Sequence, residues 1–182
     1  MGYDPEKHHR RSIRLRGWDY TSPGAYFVTL CTHNGQCLFE DERFRQIAEE
    51  EWQRTAIIRP YVQLDEFVIM PNHIHGILWI VRDDNVGARR RLAPTPRGAP
   101  SGSLGAIVGQ YKSAVTRRIN RIRKTPGAPV WQRNYYEHIV RKEDELRRIR
   151  EYIRLNPLKW GLDRENPNRT GHNPEEDWLY GQ

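Results

Sequence analysis

Residues 62–70 and 73–81 are two strand-like runs that meet at Pro71-Asn72, and so short a connection commits this part of the chain to an antiparallel hairpin. The segments around it alternate in kind. Residues 26–32 (YFVTLCT) are rich in β-branched and aromatic side chains and read as a strand. Phe44, Ile47, Ala48, Trp52 and Thr55 recur at steps of three and four, which predicts a helix over about 42–58, ended by Pro60. Ile107, Val108, Tyr111, Val115, Ile119 and Ile122 predict a second helix over about 104–123. Residues 130–140 read as a fourth strand and 143–155 as a third helix, stopped by Pro157. The order β-α-β-β-α-β followed by one more helix predicts an α+β, ferredoxin-like fold: a four-stranded antiparallel sheet with helices on one face and an additional C-terminal helix.

Charge narrows the partners. The chain of 182 residues carries 30 Lys and Arg against 23 Asp and Glu, a formal +7. Residues 82–124 hold eleven basic and two acidic side chains, a local +9. That balance favours a nucleic acid over a membrane surface. No run approaches the roughly 20 apolar residues of a membrane span, and the N-terminus lacks the apolar core of a signal peptide, so a soluble cytoplasmic protein is expected. Cys31 and Cys37 are too widely spaced for a CxxC metal knuckle and too few for a disulfide framework, and read as reduced thiols. Residues 83–103, rich in Gly, Pro, Ala and Arg and without hydrophobic period, read as a flexible insertion in a domain spanning 1–162. Residues 163–182, with five acids and two bases, read as an irregular acidic tail.

Within the hairpin, PNHIHGILWIV sets His73 and His75 two residues apart, which in a strand sends both imidazoles to one face. Two metal ligands from one rigid element are then available at a sheet edge where a ligand can reach them. An isolated HxH is more often a hydrogen-bonded surface pair. In the third helix Tyr152 and Asn156 lie one turn apart beside an apolar stripe of Leu146, Ile149 and Ile153. Tyrosines in such places are usually half-buried packing residues, and an Asn before Pro157 usually terminates a helix.

Three segments taken together resemble one family. MPNHIHGILW, VWQRNYYEHIVRKEDELRRIREYIRLNPLKWGL and the N-terminal RRSIRLRGWDYTSPGAYFVTLCT are similar to the single-tyrosine HUH transposases, specifically the REP-associated tyrosine transposases, in order over about residues 10–162. The resemblance implies His73 and His75 as metal ligands, Tyr152 as nucleophile, Asn156 as the polar group completing the metal site, and Mg²⁺ or Mn²⁺ as the ion. It also implies a single-stranded or hairpin DNA partner, the repetitive extragenic palindrome, with no membrane partner, no small-molecule cofactor, and a monomer favoured over a homodimer.

The residue types suit that chemistry. Two neutral imidazoles and an amide oxygen leave open positions on a divalent ion for phosphate oxygens. A tyrosine hydroxyl that attacks phosphorus forms a 5′-phosphotyrosine and conserves the phosphodiester energy for rejoining. Arg10, Arg11, Arg14 and Arg16 are candidates to grip a stem or read its flank, and Arg117, Arg118, Arg121 and Arg123 to form a positive ridge on the second helix. Tyr111 lies on an apolar stripe, and Tyr135 and Tyr136 alternate in a strand, where either could stack on a base; Tyr152, with a metal-capable amide one turn away, is the nucleophile that the resemblance implies. Two other classes fit parts of the pattern: a hairpin-binding module without cleavage, and a metal-dependent hydrolase of small phosphoesters.

Overall fold

The structure, a computed structural model, describes residue 15 and residues 17–81 and 99–180. Arg10, Arg11, Arg14 and Arg16, and residues 83–98 of the expected insertion, lie outside the described residues.

Four strands, β1 (Gly24–Cys31), β2 (Val62–Ile69), β3 (His73–Ile80) and β4 (Tyr136–Val140), form one antiparallel sheet in the order β2-β3-β1-β4. Helices α1 (Glu42–Ile57) and α2 (Leu104–Arg123) supply the two crossovers, which makes the ferredoxin-like arrangement. α1 is capped by the Asp41 side chain accepting from Arg43 N, and α2 by Ser103 accepting from Ala106 N. Both pack on the sheet face that carries Tyr26, Val28, Leu30, Ile74 and Leu78. The Trp52 ring of α1 lies so close over Gly76 that a Cβ there would fall 2.5 Å from it, which is why a glycine follows His75.

The other face is not open, in contrast to the one-sided cover expected. α3 (Glu143–Leu155) lays Leu146, Ile149, Tyr152 and Ile153 against Ala25, Phe27 and Ile77, and Leu179 of a short helix α4 (Pro174–Tyr180) joins them. β1 and β3 are therefore buried on both faces, as central strands covered from both sides are. The acids Glu143, Asp144 and Glu145 at the start of α3 and Arg154 near its end complement the helix dipole.

Three further expectations are corrected. The fourth strand begins only at Tyr136, with a single bridge between Thr32 and Trp131 before it. Residues 132–134 turn their carbonyls to the ammonium of Lys112 instead, 2.5 Å from Gln132 O. Pro157 does not stop the third helix outright. Asn156 stays helical at φ −56°, ψ −42°, and the chain continues as a tighter 3-10 segment, Asn156–Leu162, which needs no donor from the proline. The acidic segment after Leu162 is folded rather than irregular, since its turns and α4 bury Asp163, Asn173, Glu176 and Leu179. Among the described residues no helix is long and apolar enough to cross a membrane.

Candidate active site

His73 and His75 project from β3 to the face covered by α3, on the side of Phe27, whose ring stacks 5.5 Å from that of His75. The shared face predicted from their spacing is observed: the two Nε2 atoms are 2.9 Å apart. Their setting differs from the one expected. β3 is an inner strand between β1 and β2, not an edge, and the two rings are 0% and 1% exposed. Each Nδ1 has its own partner at 2.9 Å, Asn72 Oδ1 for His73 and Thr29 Oγ1 for His75.

Tyr152, one face of α3 inward, brings its hydroxyl to 3.3 Å from His75 Nε2. It is 4% exposed. Burial holds this hydroxyl far above the usual tyrosine range, and Tyr180, Asp163 and Glu176 add to the effect. Asn156, one turn on, is equally buried, and neither atom of its amide has a hydrogen-bond partner among the described residues.

Three residues of this site gave no signal in the sequence. Asp163 places Oδ2 3.6 Å from His73 Nε2, and with the histidines forms a buried group whose ligand atoms lie within 4.8 Å of one another. Tyr180, on α4, reaches Thr29 Oγ1 at 3.0 Å. Glu176 accepts from Arg164 N, and burial pushes its carboxyl up to about 7. All three belong to the acidic segment, whose only legible property was its charge. α4 is held down by Tyr136 OH donating to Leu179 O at 2.6 Å and by guanidinium contacts of Arg148 over Trp178 and Arg164 over Tyr180.

The donor set fits a divalent cation. Two imidazole nitrogens, each about 2.1 Å from one ion at a right angle, would be about 3 Å apart, close to the observed Nε2 separation. A carboxylate beside them adds the anionic charge that hard ions favour, and an amide with no partner is a group that ligation would satisfy.

The arginines of α2 divide. Arg118 is committed to α1, with Nη1 3.0 Å from Glu51 and Nη2 on Glu50. Arg117 and Arg121 are exposed and line, with Arg54 and Arg59, a cleft of about 1200 Å³ between α1 and α2. Arg123 is half-buried. The cleft is on the sheet face opposite the histidines, so the structure does not bring these arginines to the site. Tyr111 is a packing residue, donating to Ala48 O from the core, and Tyr135 and Tyr136 pack on the two covered faces.

No family model matches the chain. An uncharacterised protein of Haemophilus influenzae is 39% identical over 173 residues, 88% of this chain and 95% of that protein. A second Haemophilus influenzae protein, provisionally named a REP-associated tyrosine transposase, is 25% identical over 147 residues, 79% of this chain and 75% of its own length. Among solved structures, a REP-associated tyrosine transposase bound to a REP hairpin shares the fold, with a TM-score of 0.58 at 19% identity, over 90% of this chain and 84% of that one.

Proposed function

We propose that the chain is a REP-associated tyrosine transposase and that it cuts and rejoins single-stranded DNA beside a palindromic hairpin through a covalent bond to Tyr152. Its role as a DNA-processing enzyme follows from the family; the tyrosine mechanism is our reading. One observation carries it: the Tyr152 hydroxyl sits 3.3 Å from His75, beside the pair of imidazoles whose Nε2 atoms converge.

In this reading Tyr152 Oη attacks phosphorus in line, the Oη–P bond forms, the P–O3′ bond breaks, and a 3′-hydroxyl departs. A second 3′-hydroxyl attacking the phosphotyrosine reverses the exchange without an external energy source. His73, His75 and Asp163 would hold Mg²⁺ or Mn²⁺, with the buried Asn156 amide as a further candidate ligand, and the ion would supply Lewis-acid stabilisation of charge on the phosphate oxygens. Phe27 holds the His75 ring from one side while Thr29 engages its Nδ1, so the imidazole is oriented before substrate arrives. Because Tyr152 is buried in the cluster that Leu179 of α4 helps to close, access of a DNA strand to its hydroxyl would require α4 to leave this face.

A second reading has an observation in its favour. The same cover over Tyr152 suits a hairpin-binding module that never cleaves. Incubation with single-stranded hairpin oligonucleotides and Mn²⁺, followed by denaturing electrophoresis, separates the two. We expect a covalent protein–DNA adduct that vanishes in Tyr152→Phe. Tight binding with no adduct supports the binding module, and cleavage that survives Tyr152→Phe removes the tyrosine mechanism.

A further inference from the structure

Asn72 occupies a turn, where an asparagine ordinarily points to water and bonds its own backbone. Here its side chain is 1% exposed and spans three separate parts of the chain. Nδ2 donates to Glu165 O at 2.6 Å and to Gly35 O at 3.2 Å, and Oδ1 is 2.9 Å from His73 Nδ1. Both backbone partners are carbonyls, which only accept, so the amide cannot be turned the other way. Oδ1 must then be the acceptor, and the proton of a neutral His73 ring must be on Nδ1. The lone pair of Nε2 is thereby left facing His75 Nε2 and Asp163.

His75 follows from this in the metal-free protein: with His73 Nε2 an acceptor 2.9 Å away, the proton of a neutral His75 ring is on Nε2 and its Nδ1 accepts from Thr29. Thr29 Oγ1 can donate or accept, and it also meets Tyr180 OH.

We infer that Asn72 is a positioning residue that sets the tautomer of His73 and, through the same amide, fastens the segment that brings Asp163 to it. Two ligands from distant parts of the chain are therefore aligned by one side chain. The consequence for cation binding rests on the metal reading above; the tautomer does not. Outer groups that orient a ligating histidine typically govern affinity by about 10–100-fold.

The test uses ¹⁵N-labelled full chain without added metal. Long-range ¹H–¹⁵N correlations of the imidazole nitrogens are expected to show Nδ1–H for His73 in the unsubstituted protein; an Nε2–H ring overturns the inference. In Asn72→Ala the His73 signals should move to a mixture of tautomers, and Mn²⁺ affinity measured by calorimetry should fall about 10–100-fold. A folded Asn72→Ala with both unchanged also overturns it. Asn72→Asp keeps the acceptor and loses both donors, so it should retain Nδ1–H while amide exchange protection around Glu165 is lost. Protection that persists, or a tautomer that changes, counts against the proposal. An unsubstituted protein that binds no Mn²⁺ would end the metal reading and leave the tautomer measurement to decide this one.

Discussion

Asn156 carries two buried amide atoms without partners among the described residues, a deficit that destabilises a fold by about 1–3 kcal/mol for each group. A side chain kept at that cost serves something other than packing. Asn156→Leu, close in shape and free of polar atoms, should raise the melting temperature of the metal-free protein while suppressing adduct formation. A lower melting temperature, or full cleavage, would show that the amide is a packing residue. At this scale the sequence exposed the groups whose meaning lies in short spacing: His73 with His75 along a strand, Tyr152 with Asn156 along a helix. Asp163 was illegible because its contact with His73 is set by how the chain returns to the sheet, and nothing within a few residues of Asp163 records that return. The burial of all these groups was equally hidden, since it depends on α4.

The helix that bears Tyr152 is fastened to β2 by an ion pair. Asp65 receives Arg150 Nε at 2.9 Å and Nη2 at 2.7 Å, together with the Trp79 indole and the Glu66 amide. Burial raises the Asp65 carboxyl, but these donors outweigh it and bring it down to about 2. A depressed acid stabilises the fold above its unfolded value of about 4 and loses that contribution as pH falls toward 2. Asp65→Asn should therefore cost about 1–2 kcal/mol near neutrality, screening included, and the difference from the unsubstituted protein should shrink between pH 4 and 2 in denaturant titrations. A difference independent of pH would assign the effect to packing alone. α4 invites the opposite manipulation. A chain ending after Asn173 keeps Asp163 and loses Tyr180, and adduct formation should become faster although the fold is less stable; slower adduct formation in a chain that still folds would contradict the covering role. α1, α2 and α3 were legible to within a residue or two because their apolar periods are long, whereas the short α4 was not. β4 was read too long because its first half has strand-like side chains whose backbone is taken by Lys112, a contact outside any local window.

Across the molecule, the basic side chains of α2 and the candidate nucleophile are on different sides of one sheet. A DNA hairpin that engages both must wrap an edge. Replacing Arg117 and Arg121 together with alanine should lower the slope of log affinity against log salt by about 2, with cleavage of bound DNA preserved. An unchanged slope would place the DNA away from the cleft between α1 and α2. The fold class followed from the order of elements, but which face each helix covers did not, because α3 is amphipathic in the same way whichever face it takes.

The position of the histidines on an inner strand also has a consequence in time. Ninety residues separate His73 from Asp163. At roughly 5–20 residues per second of synthesis, β3 exists for on the order of 5–20 seconds before the segment that will close over it has been made. During that interval the pair of imidazoles belongs to an incomplete chain, open to any cation or strand nearby. The covering segment is thus a late product of translation, and each newly made molecule passes through an uncovered state before that cover is first laid down.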